Sequence, residues 1–255
     1  MYAEERQHEI VTRARQLGRV AVGELAARYE VTPETIRRDL DALAARGLLC
    51  RVHGGAVPAE KLRLGEPSVP ARDVSSPAEK LAIAEKAISL LPHREGLTVL
   101  IDAGTTTARL CGLLPARVGR IITNSVPAAG VLSEQEGRSV WLLGGEVRGV
   151  TQAVVGPVAQ ETLGRLRVDI AFLGTNGFSV EHGFSTPHPS EAAIKRAMVA
   201  CAREVVVLAD SSKLGVDHLV QFASLDDVDV LVTDAGLPEA GLAELRAAGL
   251  RVELS

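Results

Sequence analysis

Leu97-Thr98-Val99-Leu100-Ile101, followed by Asp102-Ala103-Gly104-Thr105-Thr106-Thr107, is the stretch on which the fold turns. A short β-branched apolar run, stopped by a carboxylate and a glycine, reads as a strand, and a helix is expected next at 106–114. Working outward, further strands fit at 120–123, 139–143, 168–173, 204–209 and 228–232, with a short last one at 250–253. Helices fit between them at 126–133, 157–164, 190–202 and 238–247. Runs such as Ile170-Ala171-Phe172-Leu173 are apolar at every position, not at every second one. Strands of that kind are buried on both faces, the habit of a parallel sheet covered by helices, so the spacing predicts an α/β domain. Residues 144–156, with Gly144-Gly145 and Gly156, break the rhythm and read as a hairpin excursion.

The helix that opens this domain carries a start signal. Ser76 reads as its cap, Pro77 takes the first helical position, and Glu79 completes a capping box. Leu81, Ile83, Ala84, Ala87, Ile88 and Leu91 then supply an apolar stripe. Ahead of it, residues 58–75 mix proline, serine and charge without an apolar period, as a linker does. The chain therefore divides into a small module at 1–57, a linker at 58–75 and the α/β domain at 76–255.

In the first module Ile10, Val11, Ala14 and Leu17 mark one amphipathic helix, stopped at Gly18. Leu25, Ala26 and Tyr29 mark a second. Thr32 can cap a third, with Pro33 at its first position and Glu34 near the positive end of its dipole. Ile36, Leu40 and Leu43 of that helix face inward, while Thr35, Arg37, Arg38 and Asp41 face out, with Arg38 spaced to pair with Glu34. After Gly47 the run Leu48–Val57, with Gly54-Gly55, reads as a β-ribbon. Three helices and a ribbon make a winged helix-turn-helix, in which helix 33–45 would enter a DNA major groove.

Composition limits what such a module can do. The 255 residues are 46% hydrophobic and 24% charged, with 12 Pro, which excludes a disordered or fibrous chain. Twenty-eight basic against 32 acidic residues leave a net charge of −4, so any nucleic-acid binding must be local. Arg37, Arg38, Arg51 and His53 are the candidates for a local stripe, and Thr35 for a phosphate or thymine methyl, since Arg donors suit base edges and phosphates alike. The rival reading is an ordinary solvated helix face. Cys50, Cys111 and Cys201 have no close pair, which suggests neither disulfides nor a thiolate metal site. The polar start Met1–Glu5 is unlike a secretory signal, and the apolar runs fall far short of the ~20 residues that span a membrane. A cytoplasmic chain with no membrane partner is expected.

The α/β domain collects polar residues at its expected strand ends. Gly104 lets a ligand approach the backbone, and Thr105, Thr106 and Thr107 add hydroxyls at a helix start, which together suit an anion. No Gly-Lys-Ser/Thr follows, so this is not a Walker loop, and no dinucleotide pattern accompanies it. The rival reading is a plain turn with a capping hydroxyl. Thr123-Asn124-Ser125, Gly174-Thr175-Asn176-Gly177 and Asp210-Ser211-Ser212-Lys213 follow other strands, and in a parallel sheet they converge with the first loop. Lys213 suits a phosphate, and Asp102, Asn124 and Asp210 suit hydroxyls. Residues 181–188 read as a long polar loop, a mobile flap able to close over a ligand; the rival reading is a well-packed loop on the active face. His182, His188 and Glu191 lack metal-ligand spacing, so neither metal nor cofactor is expected.

Val31-Thr32-Pro33-Glu34-Thr35-Ile36-Arg37-Arg38-Asp39-Leu40, then Gly47-Leu48-Leu49 and Arg51-Val52-His53-Gly54-Gly55-Ala56, closely resemble the recognition helix and wing of the DeoR family of bacterial repressors. Arg6 and Ile10 fit the same pattern. Asp102–Thr107, Thr123-Asn124-Ser125, Leu143-Gly144-Gly145, Ala171-Phe172-Leu173-Gly174 and Asp210 with Ser212-Lys213 resemble that family's effector domain, itself similar to ribose-phosphate isomerases. The resemblance implies a homo-oligomer, dimer or tetramer, that binds double-stranded operator DNA, represses a sugar catabolic or uptake operon, and is released by a phosphorylated sugar. It implies the Asp102–Thr107 loop, Asn124, Lys195 and Lys213 as effector contacts. Gly174–Phe178 with Glu181–Thr186 resembles fructose-operon regulators, which points to fructose 1-phosphate; glycerol 3-phosphate and other phosphosugars are alternatives. The rival class is an isomerase that retains catalysis. At the position of the isomerases' carboxylate base this chain has Lys195, whose ammonium cannot accept a proton without a large pKa depression, and Glu191 is the one substitute within a helical turn. A sensor and not an enzyme is expected.

Overall fold

A computed structural model describes residues 3–17, 20–29, 31–45, 48–52, 54–58 and 69–255. The chain forms two compact units, Met1–Gly65 and Glu66–Ser255. Gly18, Gly47, His53 and the middle of the linker, singled out above, lie outside the described residues.

The first unit runs α1 (Ala3–Leu17), β1 (Val20–Ala21), α2 (Val22–Tyr29), α3 (Pro33–Ala45), β2 (Leu49–Val52) and β3 (Gly55–Pro58). Its core takes Ile10 and Ala14 from α1, Leu25 from α2, and Ile36, Leu40 and Leu43 from α3. Leu17 stands outside that core, exposed. The wing is the antiparallel pair β2–β3, with β1 added along β3. Gly54 turns the wing at φ 76°, and at Gly55 a Cβ would lie 2.0 Å from the Val20 carbonyl oxygen, so the β1–β3 approach requires glycine.

The second unit runs α4 (Val69–Asp73), α5 (Pro77–Ile88), β4 (Leu97–Ile101), α6 (Thr105–Ala108), β5 (Val118–Thr123), α7 (Val126–Ser133) and β6 (Ser139–Leu142). A hairpin of β7 (Glu146–Arg148) and β8 (Ala153–Val155) occupies the excursion expected at 144–156. There follow α8 (Pro157–Gly164), β9 (Ile170–Gly174), β10 (Gly177–Ser179), β11 (Gly183–Thr186), α9 (Pro189–Cys201), β12 (Val205–Leu208), β13 (Val220–Ala223), β14 (Val230–Thr233), α10 (Glu239–Ala247) and β15 (Arg251–Leu254). Seven strands pair in parallel in the order β15-β14-β12-β9-β4-β5-β6. The chain winds outward in one direction from β4 and in the other from β9, so the sheet is doubly wound and reverses between those two strands.

The unbroken apolar runs are explained by two core layers. Val99, Ile101, Ile170, Phe172, Val206 and Leu208 face one side with Ile83 and Ala87 of α5 and Leu132 of α7. Leu100, Ala171, Leu173, Val205 and Val207 face the other with Leu163 of α8, Met198 of α9 and Leu245 of α10. Successive residues alternate between layers, as the period of two demands.

Four expectations are corrected. Residues 181–188 are no flap: β10, β11 and β13 form a small antiparallel sheet, in which Phe184 stacks on Phe178 at 5.9 Å and lies 6.3 Å from Phe222, and Ser185 and Thr186 are fully buried. The helix expected at 106–114 is the single turn α6 continued by a 3-10 turn, Arg109–Gly112; three consecutive β-branched threonines are poor helix formers. Ser76 does not cap α5, because it sits in the left-handed region at φ 48°, and only its carbonyl serves the helix, accepting the Lys80 N–H at 3.1 Å. The inward stripe of α5 keeps Ile83, Ala84, Ala87 and Leu91, but at its start Leu81 is exposed and Lys80 is buried in its place.

Phe172 is completely buried in β9 beside the reversal point. Phe172→Ala is expected to cost about 3–5 kcal/mol of stability in urea titrations followed by circular dichroism, since the cavity opens where both windings meet.

Candidate functional site

At the sheet reversal the carboxyl ends of β4 and β9 lie side by side, and ligands of doubly wound sheets gather in the crevice outside such a point. Asp102 ends β4 there and is buried. Its Oδ1 accepts the Gly104 N–H at 3.0 Å and the Thr107 hydroxyl at 2.7 Å. Its Oδ2 accepts the Gly174 N–H at 2.8 Å and the ammonium of Lys195, which reaches in from α9. Lys195 also donates to the Gly174 carbonyl at 2.8 Å and lies over the Phe222 ring. Burial alone would push the Asp102 carboxyl up, but the Lys195 charge and the bonds from Lys195, Thr107 and Gly174 outweigh it and hold it below the usual carboxylate range. Thr107 is spent within this knot, since its hydroxyl also accepts the Gly104 N–H at 3.0 Å. Thr105 and Thr106 are buried in the same turn.

A second cluster stands on the other side of the reversal. Lys213, on the short turn after β12, donates to the Thr175 carbonyl at 2.8 Å and lies 3.7 Å from Asp210. Asp210 is buried and accepts the Ser212 hydroxyl. Burial pushes the Lys213 ammonium down to about 8; Asp210 opposes this, and repulsion from Lys80, Arg72 and Lys195 adds to it. Lys80 is lowered too, by burial first, against the attraction of Asp210 and Asp73. It donates to the carbonyls of Arg72 and Ser75, which ties α5 to α4. Nε and Nη2 of Arg72 are buried with no hydrogen-bond partner among the described residues. Its neighbour Asp73 is held by Arg109 at 2.6 Å. Lys213 thus senses Lys80, Arg72 and Lys195 beside Asp210, while Asp102 is already taken by Lys195. Buried and half-buried cations outnumber the carboxylates there, an arrangement that suits an anion.

The expected ligand residues are therefore only partly brought together. Asp102, Gly104, Thr107 and Lys195 form one knot, and Asp210 and Lys213 form the other. Asn124, at the end of β5, exchanges bonds with Val154 of β8, and its Oδ1 is buried without a partner among the described residues. Lys80 and Arg72 were not singled out from the sequence. Lys80 was legible: with Ile83, Ala84 and Ala87 it falls at i, i+3, i+4 and i+7, one face of a helix. Arg72 lies in the stretch read as linker and carried no such signal. Glu191, the substitute base, accepts Arg148 and Thr151, both at 2.5 Å, and ties α9 to the β7–β8 hairpin. Among the described residues no group of three or more His, Cys, Asp or Glu is placed to hold a metal, and no helix is long and apolar enough to cross a membrane.

On the first unit, Arg37 and Arg38 are exposed on α3. Glu34 pairs with Arg37 at 3.1 Å, in place of the Arg38 pairing expected from spacing; the i, i+3 neighbour is within reach of the same carboxylate. Thr32 caps α3 as expected, accepting the Thr35 N–H at 3.2 Å, and the two hydroxyls lie 2.9 Å apart, so Thr35 belongs to the cap. Arg51 pairs through its backbone with Ala56 in the wing; its side chain, like His53, is outside the described residues.

A winged helix joined to a doubly wound unit with a cationic crevice defines a DNA-binding regulator with its own sensor. Comparison with known proteins gives the family. Residues 6–61 match the DeoR-like helix-turn-helix domain and residues 75–235 match the DeoR C terminal sensor domain. The HTH-type transcriptional regulator GlpR of Haloferax volcanii is 39% identical over 254 residues, 99% of this chain and 98% of that protein. The uncharacterized HTH-type transcriptional regulator FruR of Bacillus subtilis is 38% identical over 236 residues, 92% of each chain. Ribose 5-phosphate isomerase A of Methanocaldococcus jannaschii aligns over 55% of each chain at 22% identity, with a TM-score of 0.40. The chain belongs to the DeoR family, as a DNA-binding transcriptional regulator of carbohydrate metabolism.

Asp102→Asn would leave the Lys195 ammonium buried without its counter-charge. A loss of about 3–5 kcal/mol in denaturant titration is expected, most of it recovered when Lys195→Met is added.

Proposed function

We propose that the chain represses a sugar catabolic or uptake operon and is released from its operator by a phosphorylated sugar, fructose 1-phosphate first. The observation that carries this is that Nε and Nη2 of Arg72 are buried without a partner among the described residues, within electrostatic reach of Lys80 and Lys213. In this reading Arg72, Lys80 and Lys213 take the phosphate, and Asp210 and Asn124 take sugar hydroxyls. Asp102, Gly104, Thr105, Thr106, Thr107 and Lys195 shape the wall between them. Two facts favour sensing over isomerisation. Lys195 stands in the place of a base and is committed to Asp102, and the Glu191 carboxylate is occupied by Arg148 and Thr151.

Arg37 and Arg38 read the operator, supported by Arg51 and His53 of the wing. A single reading head per chain calls for a dimer or tetramer, with half-sites spaced by about one helical turn or a multiple. Arg72 lies on α4, inside the 58–75 stretch that joins the two units in sequence, so a phosphate that grips Arg72 also grips that stretch. A ligand with ten-fold preference for the released state contributes only about 1.4 kcal/mol, which suits a graded switch.

Anisotropy of labelled DNA from this gene's own upstream region, beside scrambled DNA and a phosphosugar panel, tests the reading. Specific binding relieved by fructose 1-phosphate is expected; relief by glycerol 3-phosphate alone would replace the effector, and no relief by any phosphosugar would remove it. Arg37→Ala or Arg38→Ala is expected to cost about 1–3 kcal/mol where the contact is to a base, or about one unit of salt slope where it is to a phosphate.

The low Lys213 value adds a pH signature. Its ammonium loses its charge as pH rises through about 8, and a phosphate dianion favours the charged form. Binding therefore takes up protons as pH rises through that value, and phosphosugar affinity measured by calorimetry should fall above it. Lys213→Met should bind more weakly and lose this dependence; a wild-type affinity unchanged between neutral and alkaline pH would count against Lys213 as a phosphate ligand.

A further inference from the structure

We infer that Asp39, held by Arg6 and Gln7, is a positioning residue that fixes the rotation of α3, so that sequence discrimination depends on a carboxylate turned away from the DNA. Asp39 follows the exposed Arg38 and is itself buried. Its Oδ2 accepts Arg6 Nε at 2.6 Å and its Oδ1 accepts Gln7 Nε2 at 2.9 Å. Both donors stand on successive residues near the start of α1, and the ion-paired side chains are 9% and 6% exposed.

The remaining inward residues of α3, Ile36, Leu40 and Leu43, are apolar. Apolar burial rewards area and not direction, so it keeps α3 in the core without fixing a small rotation about its axis. A carboxylate gripped at both oxygens by different side chains is directional. With side chains ending about 5–6 Å from a helix axis, a rotation of about 20° moves them about 2 Å, further than a hydrogen bond to a base edge tolerates. For stability alone an apolar pair of similar volume generally serves as well as a buried ion pair. What the ion pair adds is registry, and the groups it registers are Arg37 and Arg38 on the opposite face. The inference rests on the reading of those arginines as DNA contacts, which Arg37→Ala and Arg38→Ala test separately.

The experiment uses the full chain with two duplexes at one salt concentration: one selected by the wild type from a randomised pool, and a scrambled one. For Arg6→Met combined with Asp39→Leu we expect a thermal midpoint at or above wild type. The ratio of affinities for selected over scrambled duplex should fall at least about ten-fold, with scrambled binding and its salt slope unchanged. Gln7→Ala keeps the ion pair and frees only Oδ1; its ratio should fall about three-fold with no change in melting. A folded double variant that keeps the wild-type ratio overturns the inference, as does equal loss on both duplexes, which marks a structural role only. Should the double variant not fold, Gln7→Ala decides, and a wild-type ratio there overturns it.

Discussion

The buried Asp102 carboxylate can exist only where its charge is met. A lone carboxylate out of water is costly, and the Asp102 oxygens are satisfied by Gly104 and Thr107 from one winding of the sheet and by Gly174 and Lys195 from the other. The desolvation penalty is therefore offset only when β4 and β9 lie side by side and α9 is docked across them. The same bridge that closes the fold at its reversal also closes one wall of the crevice. It neutralises Lys195 and leaves Lys213 and Lys80 to share Asp210, with Arg72 repelling both.

The two units place charge by opposite rules. In the reading head the arginines proposed to meet DNA stand in water, where their solvation costs nothing until a duplex arrives, and the charge of Asp39 is hidden with Arg6. In the sensor domain Lys80 is buried and Lys213 and Arg72 are half-buried, so burial first and mutual repulsion second hold the two lysine ammoniums below their ordinary range. The net charge of −4 is compatible with both, because neither site depends on the field of the whole molecule.

Much of the architecture was legible as period and punctuation. The strands beginning at Leu97, Val205 and Val230 announce themselves because, Thr98 and Thr233 apart, each residue is apolar, and the sheet buries both of their faces. The rule that polar strand ends converge holds for Asp102 with Gly174 and for Asp210 with Lys213 and Thr175, but not for Asn124, which bonds to Val154 instead. Residues 181–188 read as a loop because strands of three or four residues that each begin with glycine look irregular until a third strand, β13, pairs with β11 from far along the chain.

By itself the sequence determined what local rules can determine: which segments are strands or helices, which faces are apolar, that a winged helix precedes an α/β unit, and which loops carry the polar chemistry. Only the tertiary structure decided which charges cancel. Asp102 and Lys195 are 93 positions apart, and Arg6 and Asp39 are 33 apart. An ion pair leaves no periodic trace in a sequence, because its energy depends on distance through space and on the water excluded around it.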